Sequence, residues 1–368
     1  MAYTEEKAVG HISASKESTN VENALEEDSL YAYNPDNVDV AIRHYTYHLY
    51  HLLRREKKGQ LIIPTSQRNI VWTSVQQSKF IESILLKFPM PPFYFNQTIE
   101  GKLIVVDGFQ RMSALDKFVG NTFALEGLTT LPKLNGKYFK DLRDIQKVTI
   151  EDTAFQVNII MPSVPLAAVY DIFSRINIGG TQLNRQEIRN AIFHQQAAEF
   201  LKKLTNANHF RLAIDGKITS TNLQDQAFVL RYLAFQIFDY KDYHGNMSDF
   251  LESAMRRLDA MSSDELMHLE KGFNKAMKLI DDFFGKKKFN LPTSINNPQT
   301  NIALWESVAH FFTISEKTLL EKNKAQIINN YQQLLNDEQY LAAVKTATGT
   351  KKSIQTRFER AKQILGKL

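Results

Sequence analysis

"LIVVDGFQRMSALDKFVGN", residues 103–121, is the stretch on which the reading of this chain turns. Four apolar β-formers, Leu103 to Val106, run into Asp107 and Gly108, after which Met112, Leu115, Phe118 and Val119 recur at helical spacing. The pattern predicts a strand, a tight turn and the start of a helix. Gly108 can adopt dihedrals that other residues avoid, and the first turn of a helix offers unpaired N–H groups with a partial positive charge. Such a corner suits an anion, phosphate above all. Arg111 falls in that first turn, where a cation opposes the helix dipole at a cost of about 0.3–1 kcal/mol unless something negative compensates. Two accounts fit these residues. In one, Asp107 caps the helix, Gly108 is a turn glycine and Arg111 pairs with a local acid; in the other, the corner holds a ligand's phosphate. Gly-x-x-Arg alone does not choose between them.

Outward from this corner the signals alternate. "FYFNQ" (93–97) pairs with "KLIVVDG" through a turn at Glu100 and Gly101, and Leu61 opens a short β run that Pro64 stops. Ser74 and Gln77 have capping-box spacing ahead of a helix whose Phe80, Ile81, Ile84, Leu85 and Phe88 share a face, closed by Pro89, Pro91 and Pro92. Val38 to Arg55 reads as a helix with Ile42, Tyr45, Leu49 and Leu52 as its stripe. Downstream, "AFQVNIIMP" (154–162) reads as a strand and Pro165 opens a helix over 166–176. Asn184 with Glu187 three residues later has the spacing of another helix cap, Glu187 as a catalytic base being the alternative. After about Ser220 strand signals almost vanish, and "QDQAFVLRYLAFQIFDY", "DELMHLEKGFNKAMKLIDDFF" and "NIALWESVAHFFTI" suit amphipathic helices. The fold class expected is α+β followed by an all-helical part: an acidic disordered tail over 1–30, an α+β domain over 31–215 and a helical domain over 216–368.

Composition sets the outer bounds. A chain of 368 residues, 43% hydrophobic and 23% charged, suits one large or two medium globular domains. The formal charge is +5, yet the first thirty residues hold Lys7 and Lys16 against seven acids, so the remainder is distinctly basic. With no cysteine, disulfides, thiolate zinc sites and cysteine nucleophiles are excluded. No stretch approaches the roughly 18 apolar residues of a membrane span, and a soluble, cytoplasmic protein is expected.

Three further groups carry chemistry. His44, His48 and His51 lie at i, i+4 and i+7, but three ligands from one straight helix rarely converge on an ion, so they read as a surface stripe. Tyr45, Tyr47 and Tyr50 with Arg54, Arg55, Lys57 and Lys58 interleave aromatics and cations as single-strand binders do, although a half-buried helix with a solvated end gives the same pattern. The last 24 residues hold Lys345, Lys351, Lys352, Arg357, Arg360, Lys362 and Lys367 against Glu359, the best electrostatic candidate for contact with a phosphate backbone.

Three segments, "IPTSQRNIVWTSVQQSKFIESILLKFPMPPFYF" (63–95), "VVDGFQRMSALDKF" (105–118) and "FSRINIGGTQLNRQEIRNAIF" (173–193), together resemble the bacterial family of GmrSD-type restriction proteins. They look like its Gln-Arg…Trp segment, its Asp-Gly-Gln-Gln-Arg motif and its Asn…Gly…Leu…Glu segment. The likeness implies a ParB/sulfiredoxin-like fold in which a Gly-x-x-Arg element after a strand binds nucleotide phosphates. Asp107, Gly108, Gln110 and Arg111 match the central motif, and Gln67 and Arg68 the upstream pair. Phe109 departs from the pattern, standing where the family has its first Gln. Sulfiredoxin chemistry is excluded, since it needs a cysteine.

On that basis backbone N–H groups at Gly108, with Arg111, Arg68 and Gln67, are expected to clamp the phosphates of an NTP, and Asn177 to reach the same cleft. Asp107 is expected to hold Mg²⁺ and Gln110 to orient a water. Lys351, Lys352, Arg357 and Arg360 are the expected DNA contacts. The function so implied is nucleotide-binding, DNA-associated and part of anti-phage restriction, with Mg-dependent NTP hydrolysis as its enzymatic form. A separate nuclease partner is expected, because no His-Asn-His cluster appears. The alternatives are a ParB-like switch in which nucleotide controls DNA or partner binding without turnover, and a non-catalytic interaction module.

Overall fold

The strand, turn and helix read from residues 103–121 are present as strand Leu103–Asp107, Gly108 and helix Phe109–Val119. The structure, a computed structural model, describes residues 40–63, 72–176, 185–193, 195–214, 218, 223–285, 289–291 and 300–368. The tail expected over 1–30 lies outside them, as do Gln67, Arg68, Asn177 and Asn184.

In chain order the first part runs β1 (Ile42–His48), α1 (Leu49–Lys57), β2 (Leu61–Ile62), α2 (Ser74–Leu85), β3 (Phe93–Gln97), β4 (Leu103–Asp107), α3 (Phe109–Val119), α4 (Asp144–Glu151), β5 (Ala154–Ile160), α5 (Leu166–Ile176) and α6 (Arg185–Ile192). The sheet order is β1-β5-β3-β4-β2. β1 pairs antiparallel with β5, β5 parallel with β3, β3 antiparallel with β4, and β4 parallel with β2. Inward residues of the central strands, Phe93, Phe95, Val105, Val157 and Ile159, are buried with Leu49, Phe80, Ile81, Met112, Leu115 and Phe118 from the helices on that face. Each such side chain contributes about 1.5–3 kcal/mol through removal from water. Val106 and Ile160 turn the other way, onto Val169, Tyr170 and Ile188 of α5 and α6.

One expected helix is corrected. Residues 42–48 are a strand, and the helix begins only at Leu49, where Leu49, Leu52 and Leu53 are buried. The reason is tertiary: Ile42 to His48 finds a partner strand, from Ile42↔Ile160 to His48↔Ala154, which outweighs a helical spacing that Ile42 and Tyr45 merely imitate. His44, His48 and His51 therefore share no helical face. The box ahead of α2 also sits one residue upstream, with Thr73 Oγ1 accepting from Gln76 N at 3.2 Å and Gln76 Oε1 accepting from Thr73 N at 2.9 Å.

Beyond β5 the described residues form helices, apart from an isolated bridge between Asn290 and Thr300. They are α7 (Gln195–Thr205), α8 (Asn208–Ala213), α9 (Gln224–Ile237), α10 (Met247–Asp259), α11 (Ser263–Phe284), α12 (Ile302–Ile314), α13 (Lys317–Lys322), α14 (Lys324–Leu334), α15 (Glu338–Lys345) and α16 (Lys351–Leu365). Their core centres on Trp305, whose ring lies 4.2 Å from that of Phe228 and 5.4 Å from that of Tyr232. Beside it Glu306 accepts from Arg231 Nε and, at 2.6 Å, from Arg357 Nη2, all three side chains being out of water. Burial would raise the Glu306 carboxyl, but the two guanidinium groups outweigh it and hold the group below its ordinary value. Leu166 and Ile192 pack against both this core and the one under α5 and α6, so the two halves share a seam.

Candidate functional site

Gly108 is the N-cap of α3, with φ 98° and ψ 12°, a left-handed conformation that glycine adopts without penalty. No side chain caps this helix end, and the first ladder bond is Met112 N to Gly108 O at 2.8 Å. Among the described residues the first-turn N–H groups thus have no side-chain acceptor, which is the local requirement for an anion site. The same glycine meets a second constraint, because a Cβ there would come within 2.2 Å of Phe93 Cδ1.

Arg111 has the compensating anion that its position demands. Its Nη2 donates to Asp107 Oδ2 at 2.9 Å and to Pro92 O at 3.1 Å, and Nη1 donates to Pro91 O. The guanidinium lies 4.6 Å from the centroid of the Phe93 ring. Burial lowers its pKa, with the charge and hydrogen bond of Asp107 opposing. The Arg111 and Asp107 side chains keep 11% and 24% of their surface, so the pair is sheltered yet reachable. A guanidinium has five donors. Nε–H and one Nη1 hydrogen take no part in the three bonds above.

Gln110 faces the other way. Its Oε1 accepts from Trp72 N at 3.4 Å, and Gln77 Nε2 donates to Trp72 O at 3.0 Å. Trp72 leans on Phe80 with ring centroids 5.5 Å apart. Gln110 and Gln77 thus hold the backbone of Trp72 from both sides. Gln77 itself is buried, and its Oε1 has no partner.

The third motif is built into the seam between the halves. Glu187 and Arg189 on α6 are each 1% exposed. Arg189 Nη2 donates to Ser248 Oγ at 3.3 Å, and Ser248 Oγ in turn donates to Glu252 Oε1 at 3.3 Å. Asn190 Nδ2 donates to Gln226 Oε1 at 2.6 Å and its Oδ1 accepts from Gln186 Nε2 at 2.8 Å. Burial pushes the Glu252 carboxyl up to about 7, against the pull of Arg189. Gln226, Ser248 and Glu252 are partners that sequence reasoning missed, because nothing local in their helices distinguishes them from ordinary amphipathic positions.

On α16, Lys351 and Lys352 are exposed and Arg360 pairs with Asp337. Arg357 is corrected from a DNA contact to an interior residue: it is 0% exposed, with Nη1 on Thr348 O at 2.6 Å and Nη2 on Glu306. Among the described residues no group of three His, Asp or Glu side chains could hold a metal ion, and no helix is long and apolar enough to cross a membrane.

The family model of the GmrSD restriction endonuclease N-terminal domain matches residues 49–194, which enclose the whole corner, the Trp72 anchor and α6. Over that span the chain is similar to the GmrSD N-terminal domain. No curated protein and no solved structure matches it.

Proposed function

We propose that this chain is a DNA-associated restriction protein whose corner between β4 and α3 receives the phosphates of a nucleotide. One observation carries the reading: an uncapped helix N-terminus begins at a left-handed glycine, with a carboxylate and a guanidinium flanking it. A ParB/sulfiredoxin-like placement of this strand, turn and helix accords with it. In this arrangement Arg111 is parked on Asp107 and the proline carbonyls, and its two remaining donors are the ones a phosphate would take. Asp107 fits Mg²⁺, as one partly exposed carboxylate that leaves the other positions to phosphate oxygens and water. That ion would neutralise polyphosphate charge at the helix end.

A second reading is a nucleotide-dependent switch with little turnover. It is favoured by the engagement of Arg111, which a ligand would have to reorganise, and by Phe109 in the place of a motif glutamine. Lys351, Lys352 and Arg360 remain the candidate DNA contacts of α16, and a separate nuclease is the expected partner. Calorimetric titration with each NTP and Mg²⁺, followed by a phosphate-release assay, separates the readings. Binding with release supports the enzyme, binding without release the switch, and no saturable binding defeats both. Arg111→Ala is expected to abolish binding; unchanged affinity would remove Arg111 from the site.

A further inference from the structure

The outer edge of the sheet carries a feature that neither the corner nor the GmrSD match explains. β1 lies before the matched span and is the terminal strand of the sheet, bonded among the described strands to β5 alone. Tyr45 and Tyr47, two apart on the strand, have ring centroids 5.9 Å apart. The Arg55 guanidinium lies 5.4 Å from the centroid of Tyr47. His51, one helical turn before Arg55, has its ring 5.9 Å from that of Tyr50 and 6.1 Å from that of His48. The result is an aromatic strip in two separate clusters, Tyr45 with Tyr47 on β1 and Tyr50, His51 and His48 around the start of α1. Its two outermost rings are open, Tyr45 39% and Tyr50 57% exposed.

Cations flank that strip. Arg43, Arg54, Lys57 and Lys58 are exposed, and neither they nor Arg55 have a carboxylate partner among the described residues. The one acid in the same stretch, Glu56, is half-buried; burial and then Asp116 raise its pKa, the charge of Lys57 opposing them without an ion-pair contact. Exposed rings beside unpaired cations contribute little to folding, but they match a ligand offering flat π-faces and phosphates together.

We propose that this edge binds single-stranded DNA, with unpaired bases stacked on Tyr45 and Tyr50 and the backbone phosphates drawn to Arg43, Arg54, Lys57 and Lys58. A duplex offers the phosphates but hides its base faces, so the rings select the unpaired form. An added peptide strand is disfavoured because Arg43 stands on the edge itself, where charge blunts strand pairing. The inference rests on the DNA-associated reading and names the form of DNA; it does not need the nucleotide corner.

Fluorescence anisotropy of the full chain with labelled oligo-dT, and with a duplex of equal length, tests it. Oligo-dT should bind more tightly than the duplex at equal salt. Tyr45→Ala and Tyr50→Ala should each weaken it by about 5- to 150-fold, while Tyr→Phe at either position keeps affinity. Replacing Arg54, Lys57 and Lys58 by Gln should flatten the log–log salt slope by about 2. These positions are exposed, and circular dichroism of each variant checks that it folds. Duplex binding as tight as oligo-dT, or alanine variants that bind oligo-dT like the parent, would overturn the assignment and leave the chain DNA-associated through another surface. Failure of the parent to bind either DNA would overturn the DNA-associated reading as well.

Discussion

Gly108→Ala tests the corner most directly. An L-residue held at φ 98° loses about 1–2 kcal/mol to left-handed backbone strain. The new methyl would also stand 2.2 and 2.5 Å from Phe93 Cδ1 and Cε1, distances that require movement. Phe93 cannot yield cheaply, since it is 0% exposed, lies 5.2 Å centroid to centroid from Phe155, and carries the Arg111 guanidinium on its face. Overpacking of this kind costs about 1–3 kcal/mol. Together the two effects come to about 2–5 kcal/mol, a large share of an ordinary domain's stability. Near the middle of that range the thermal midpoint should fall by roughly 10 °C. Urea unfolding followed by near-ultraviolet circular dichroism measures the loss. Phe93→Leu in the same chain should recover the steric part and leave the backbone part, giving a double-mutant cycle with non-additive terms. A Gly108→Ala protein within about 0.5 kcal/mol of the parent would refute the reasoning, because neither the left-handed turn nor the ring contact could then be as described.

The seam, the third motif and the terminal helix offer independent checks. Glu252 has its folded pKa raised from 4.5 to about 7, so the folded state holds its proton longer and stability falls as pH rises from about 4.5 through 7. The loss relative to Glu252→Gln should be on the order of 3 kcal/mol, measured as urea midpoints against pH; parallel profiles for the two proteins would exclude it. Asn190→Ala breaks the Gln186–Asn190–Gln226 chain and should cost about 1–3 kcal/mol in chemical unfolding. Replacing Lys351 and Lys352 by Gln should reduce the salt slope of duplex DNA binding by about 2 if α16 meets the backbone, and leave it unchanged if the helix only supports the fold.

How much of this was legible in the sequence depends on where each signal lives. Residues 103–121 carry both periods in one stretch, so strand, turn and helix could be read with near-final bounds. The need for an anion near Arg111 was also readable from the helix dipole, and Asp107 meets it one turn earlier. The carbonyls of Pro91 and Pro92 were not foreseeable, because prolines announce helix ends and say nothing of where their oxygens point. Ile42 to His48 misled for a similar reason: its partner strand is over a hundred residues away, and local spacing cannot see it. Arg357 is different. Ile354, Phe358, Ala361 and Ile364 mark the apolar face of α16, and position 357 lies on it, so the sequence held the signal that a charge count ignores.

The ion triad has a practical consequence for anyone trimming this protein. Glu306 sits at the heart of the helical half, and one of its two counter-charges arrives from the final helix of the chain. Deleting that helix to remove a basic surface would strand a carboxylate in an apolar interior, and what is lost would be the fold rather than a contact. Questions about the C-terminal lysines are therefore questions for point substitutions, with the last helix left in place as a structural keystone.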